Sequence, residues 1–185
     1  PFLFLQCGME RAGNVYLVGM MGAGKTTVGR LLARRLKLRF VDCDEEIRRR
    51  CGVSIPLIFE IEGEAGFRAR EAQAIEELTT LEGIVLATGG GAVLAEANRD
   101  RLAARGTVIY LRARPEELYV RVRHDRNRPL LATADPLETL RRLYAERDPL
   151  YRSVADLVID TGRQSVQVLA RDLIDRLGER WKASA

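Results

Sequence analysis

The segment that most constrains this chain is residues 19–26, Gly19-Met20-Met21-Gly22-Ala23-Gly24-Lys25-Thr26. It satisfies G-x-x-x-x-G-K-[ST] directly after an apolar run at 14–18 (NVYLV) and opens a helical pattern with Val28, Leu31, Leu32 and Leu36 on one side. Strand, glycine loop and helix in that order form a phosphate cradle. Glycines let successive backbone N–H groups turn toward phosphate oxygens, and the helix adds its positive N-terminal end. Lys25 then reaches the terminal phosphates and Thr26 offers its hydroxyl to Mg²⁺. The bland alternative is a glycine-rich turn with an exposed lysine. Against it, only Lys25, Lys37 and Lys182 among the 30 basic residues are lysines, so an arginine-rich chain uses a compact ammonium at the position where a phosphate needs one.

The rest of the chain alternates in the same way. Apolar runs at 38–41, 84–87, 108–111 and 157–159 join 14–18 as five short buried strands, with helix-period segments between them. Connections of that length require right-handed crossovers, hence a parallel sheet with helices on both faces and ligands beyond the carboxyl ends of the strands. The expected fold is α/β: a P-loop NTPase-like three-layer arrangement with a five-stranded parallel sheet. One stretch, 121–135 (RVRHDRNRPLLATAD), breaks the alternation and reads as a mobile lid. With no repeat and no linker, residues 9–185 are expected to form one domain, and residues 1–8 to lie upstream of a natural start at Met9.

Composition excludes several classes. Apolar residues at 46% argue against disorder, and the longest uncharged runs, 12–24 and 83–95, have 13 residues, short of a bilayer span. Three cysteines with no C-x-x-C and a single histidine support neither a disulfide framework nor a zinc site, which points to a reduced, cytoplasmic protein. The net charge of +4 favours anionic ligands in general. No basic–aromatic RNA motif and no N-K-x-D guanine signature occur, so neither nucleic acid nor GTP is expected.

Several other residues carry chemistry in one reading and structure in another. Asp42 and Asp44, at i and i+2 after the second strand, fall on one side of an extended segment near the phosphates. One would support Mg²⁺ through water and the other would align an attacking hydroxyl. Alternatively, Asp44 starts a helix. Arg68 and Glu71 are three apart in a helix expected from residue 63 to Leu81, so Glu71 either fixes Arg68 for a carboxylate ligand or forms a solvated pair. Gly89, Gly90 and Gly91 follow a buried strand and admit either a close ligand or a tight turn. The helix 136–153 carries Arg147 ahead of Pro149, a break that would present Arg147 from a helix end. His124, in the polar lid, reads as solvated.

Together these residues resemble the shikimate kinase family. The ordered motifs are GMMGAGKTTVGR at 19–30, DCD at 42–44, GExxFRxxE at 63–71, GGG at 89–91, RPLL at 128–131 and RDPLY at 147–151. The resemblance implies transfer of the γ-phosphoryl of ATP to the 3-hydroxyl of shikimate, on the route to aromatic amino acids, by a monomer. It implies nucleotide contacts from Gly22, Ala23, Gly24, Lys25, Thr26 and Thr27, with Thr26 and Asp42 at Mg²⁺. Asp44 would activate the hydroxyl while Arg68 and Arg147 clamp the substrate carboxylate. Gly89, Gly90 and Gly91 would line the pocket beside Phe59 and Phe67. Lys25 and, on lid closure, Arg128 would meet the transferring group. Arg121 or Arg123 would stack on adenine, with Arg163 near it. A gluconate kinase would share the cradle but lack the paired arginines, and a catalytically silent nucleotide-binding regulator would not need every one of these positions filled.

Overall fold

The computed structural model describes residues 13–125, 129–162 and 164–183. Its five strands are β1 (Val15–Val18), β2 (Arg39–Asp42), β3 (Ile84–Ala87), β4 (Thr107–Arg112) and β5 (Leu157–Asp160), all parallel, in the order β2-β3-β1-β4-β5. β1 and β3 are buried throughout and β4 nearly so, as a strand covered on both faces requires. β2 and β5 occupy the sheet edges and are partly exposed, which corrects the expectation of five uniformly buried strands.

The crossovers explain the layers. α1 (Lys25–Leu36) leads from β1 toward the β2 edge, whereas α3 (Ile55–Leu78), α4 (Glu96–Arg105) and α6 (Pro136–Val154) lie on connections running the other way. A right-handed crossover that reverses direction changes face. α1 accordingly packs against the C-terminal helix α7 (Val166–Ala183), while α4 packs between α3 and α6. α2 (Cys43–Cys51) packs on α3, and α5 (Pro115–Val122) on α6.

Two helices differ from the periodicity reading. α3 begins earlier, at Ile55, capped by Ser54, whose hydroxyl accepts from the Leu57 N–H. Gly63 breaks it with φ 69° and ψ −177°, so the expected segment beginning at 63 is the second arm of a kinked helix. This arm ends at Leu78, leaving Leu81 beyond it, while Phe67, Ala74, Ile75 and Leu78 form its buried stripe. α6 has the expected span, with Val154 added, but runs through Pro149 without the break expected there. Proline removes one backbone donor, but Leu140, Leu143, Tyr151 and Val154 keep this helix packed on the core.

α2 is tied to α3 by a charged network. The Glu46 carboxylate accepts from Arg49 Nε and Nη2 (2.9 and 2.8 Å) and from Arg50 Nε (2.7 Å), while Arg50 Nη1 reaches Glu77 at 2.6 Å. Hydrogen bonds from Arg49 and then Arg50 hold the Glu46 carboxyl down to about 2. A folded value below the unfolded one stabilises the fold above the ordinary carboxyl range, and that contribution is lost as pH falls toward 2. Glu46→Gln is expected to lower stability at pH 7 by about 1 kcal/mol, a figure discounted for the exposed Arg49 partner. In urea melts the gap to the parent should close between about pH 4.5 and 2; a gap independent of pH would contradict it.

Candidate active site

The site lies beyond the carboxyl ends of β1, β2 and β3. After β1, Gly19, Gly22 and Gly24 adopt φ values of 141°, 79° and 92°, the region L side chains avoid. At Gly19 a Cβ would also lie 2.5 Å from the Leu111 carbonyl oxygen. Gly24 caps α1 without a side chain, and the first turn carries no acid, so its positive end stays available to an anion. Lys25 Nζ donates to the Gly19 and Met20 carbonyls at 2.7 and 2.9 Å, folding the ammonium over the loop. Residues 22–27 line a cleft of about 770 Å³ together with Asp42, Asp44, Arg121 and Thr161.

The two aspartates do not share an extended segment, which corrects the sequence reading. β2 ends at Asp42, and Asp44 lies in the first turn of α2. The helix cap is Asp42, not Asp44: its Oδ1 accepts from the Asp44 and Glu45 N–H groups at 3.1 and 3.3 Å. Asp42 Oδ2 accepts from the Thr26 hydroxyl at 2.8 Å, so one carboxylate both caps a helix and joins the loop. Among the described residues no cluster of three His, Cys, Asp or Glu could hold a metal. What the cleft offers is a hydroxyl and a carboxylate oxygen side by side, a donor pair that suits a hard cation completed by phosphates and water.

Asp44 also borders a smaller recess formed by Phe59, Phe67, Arg68, Glu71, Arg147 and the glycines 89–91. Cleft and recess share Met21, Asp44, Ile55 and Gly90. Here the Arg68–Glu71 pair is not a solvated one. Glu71 is fully buried and accepts from Arg68 Nη1 at 2.7 Å. Arg68 Nε and Nη2 donate to Glu64 at 3.2 and 3.0 Å, a partner the spacing argument missed although Glu64 lies in the same motif. Burial pushes the Glu71 carboxyl up, and Arg68 opposes the shift. The Arg68 guanidinium lies 5.3 Å from the centroid of the Phe67 ring, which in turn packs on Phe59 with centroids 4.9 Å apart.

Gly89 to Ala92 closes a turn, the Ala92 N–H donating to the Gly89 carbonyl at 3.2 Å, but none of the three glycines has a positive φ, so the turn alone does not demand glycine there. A Cβ on Gly89 would fall 2.1 Å from Glu71 Oε1, and one on Gly91 2.2 Å from Arg68 Nη2. The glycines are there because two charged side chains lie against the backbone. Arg147 is not at a helix end either. It projects from the middle of α6, only 2% exposed, and its Nε and Nη1 atoms are buried without a hydrogen bond. Guanidinium donors placed in a recess in this way suit a carboxylate ligand.

Arg121, at the end of α5, donates to the Gly22 and Thr161 carbonyls, both at 3.1 Å, and borders the cleft. Arg123 instead borders a separate cavity with Leu131 and Pro136. His124 is exposed. Arg128, which belongs to the lid reading, and Arg163 lie outside the described residues.

The family model for shikimate kinase matches residues 21–178. A shikimate kinase of Thiobacillus denitrificans is 62% identical over 169 residues, covering 91% of this chain and 92% of its own. The solved shikimate kinase of Acinetobacter baumannii in complex with shikimate is 48% identical with a TM-score of 0.89, covering 91% of this chain and 94% of its own. A gluconokinase of Sinorhizobium meliloti superposes with a TM-score of 0.61 at 19% identity, over 92% of this chain and 94% of its own, a likeness of fold alone. A phosphate cradle, an aspartate where two cavities join and a pair of recessed arginines thus accompany a match over most of the length, and the chain belongs to the shikimate kinase family.

Proposed function

We propose that this protein transfers the γ-phosphoryl group of ATP to the 3-hydroxyl of shikimate, giving shikimate 3-phosphate and ADP, a step toward aromatic amino acids. The observation that carries the reading is the position of Asp44, at the junction between a cleft headed by the phosphate loop and a recess that offers two guanidinium groups. A ligand with a carboxylate at one end and a hydroxyl at the other spans from Arg68 and Arg147 to Asp44.

In the reaction, residues 22–27 hold the triphosphate and Lys25 turns from the loop carbonyls to the terminal phosphates. Arg68, fixed by Glu71 and Glu64, and Arg147 bind the carboxylate and set the ring. Asp44 accepts the proton of the 3-hydroxyl as its oxygen forms the new bond to phosphorus and the bond to the β-phosphate oxygen breaks. Thr26 and Asp42 would hold Mg²⁺, which when bound neutralises charge on the phosphates. Arg121 is assigned to the adenine side in preference to Arg123, because only Arg121 borders the cleft. Arg128 and Arg163 keep their roles at the transferring group and beside adenine, on the resemblance alone. Lid closure over the site would keep water from competing as acceptor. The described cysteines are free thiols, and no described helix is long and apolar enough to cross a membrane.

Coupled ADP-release assays with ATP, Mg²⁺ and either shikimate or gluconate test the reading. Turnover is expected only with shikimate, with ³¹P NMR showing a phosphomonoester on the 3-oxygen. Turnover with gluconate alone would overturn the assignment.

A further inference from the structure

The cleft and the recess meet at Gly90. A Cβ on this residue would lie 3.3 Å from the Met21 backbone nitrogen, 3.7 Å from the Gly19 carbonyl oxygen and 3.8 Å from Arg147 Nη1. Gly90 is therefore a thin wall between the phosphate loop and the guanidinium facing the recess. Its carbonyl accepts a hydrogen bond from the Tyr151 hydroxyl. The same hydroxyl lies 3.6 Å from Met20 Sδ, so one oxygen touches both the loop and the wall.

Tyr151 stands one helical turn beyond Arg147 on the buried face of α6. It is fully buried, and burial pushes its phenol well above the ordinary range, which keeps it a neutral donor. Its ring stacks on Tyr110 with centroids 4.8 Å apart. The Tyr110 hydroxyl donates to Asp148 at 2.8 Å, and Arg152 holds the other Asp148 oxygen at 2.7 Å. These contacts fix the rotation of α6 about its axis in the turn that follows Arg147. Phosphoryl transfer needs no phenol at this place, and a ring serving the core alone could be Phe. A buried hydroxyl is tolerated when it is hydrogen-bonded, and its partner here is the wall residue.

Resting on the shikimate reading, we propose that Tyr151 is a positioning residue for the acid substrate: its hydroxyl fixes Gly90 and thereby sets the Arg147 guanidinium relative to the phosphate loop. It touches neither substrate nor nucleotide and acts through Gly90 and Arg147.

Tyr151→Phe keeps the ring and removes one oxygen. The expected result is a KM for shikimate raised about tenfold, with the KM for ATP changed by less than about twofold. The ¹H–¹⁵N resonance of the Arg147 Nε–H should shift or broaden in the same variant. Combined with Arg147→Lys, the two increases in shikimate KM should multiply to less than their product, because fixing the wall matters only while the guanidinium is there. A merely structural hydroxyl would lower the melting temperature while leaving shikimate KM within about twofold and the cycle multiplicative, and that result overturns the proposal. Should Tyr151→Phe not fold, Gly90→Ala supplies the second arm, since the backbone there suits alanine and its Cβ would press on Met21. An unchanged shikimate KM in that variant likewise overturns it. If the parent protein fails to phosphorylate shikimate, the reading of the function fails by itself. The Arg147 resonance in Tyr151→Phe then still decides the role of Tyr151, an unmoved signal being the negative.

Discussion

Asp44→Asn is expected to abolish most turnover, lowering kcat by about 10²–10⁴-fold, the range for removing a positioned general base. Its affinity for ADP should stay within about threefold of the parent, because the uniform part of nucleotide binding comes from the loop and not from this carboxylate. Asparagine has the same shape and can still accept a hydrogen bond from the attacking hydroxyl, but it cannot take the proton. The fold should barely notice. Asp44 sits in the first turn of α2, where a negative charge contributes only about 0.3–1 kcal/mol, and the capping carboxylate is Asp42, which the substitution leaves in place. Asp44 is also one of the charges that push the Glu71 carboxyl up, so the neutral variant should titrate Glu71 at lower pH. The measurements are a coupled assay for kcat and calorimetry for ADP. A variant with near-parental kcat would remove Asp44 from the chemistry, whereas lost ADP binding would mean that Asp44 serves the nucleotide.

Most of the sheet was legible because covered strands read as unbroken apolar runs and the loop carries its own signature. β1, β3 and β4 are fully or nearly fully covered, and all three fell within about a residue of expectation. The edge strands fell within a residue as well, but their exposure was not legible: β2 is half exposed and passes into α2 with no intervening loop, so the point where extended backbone becomes helical is set by the Asp42 cap. Local spacing could suggest that Arg68 and Glu71 meet, since three residues apart on a helix is close. It could not show that Gly89 and Gly91 exist to admit them, because that contact joins α3 to the turn after β3. Proline at 149 misled in the same way. A local helix breaker was outweighed by the long-range packing of Tyr151 and Val154. Tyr151 carried no signal of its own, being one tyrosine among five in a chain where any of them could be core.

Arg147→Met should separate function from stability. In the unliganded fold the Arg147 guanidinium is buried with Nε and Nη1 unmatched, beside a Glu71 carboxylate already engaged by Arg68. Replacing the guanidinium with an apolar chain of similar length relieves the unmatched donors, but it also takes a counter-charge away from the buried Glu71 carboxyl. The two effects oppose each other, so the variant is expected to stay within about 2 kcal/mol of parental stability. Shikimate affinity should fall by about 3–5 kcal/mol, since a desolvated guanidinium–carboxylate pair would be lost and the substrate anion left facing Asp44 and Glu71. The KM for ATP should hold, because Arg147 reaches the phosphate loop only across Gly90. Ligand-induced stabilisation gives the cleanest measurement. In excess over its Kd, shikimate should raise the parental melting temperature, by about 2.7 kcal/mol in free-energy terms at 100 times Kd, and at the same concentration should leave the variant where it was. If instead the variant melts well below the parent and still responds to shikimate, Arg147 is a strut of the core and the substrate carboxylate is bound by Arg68 without it.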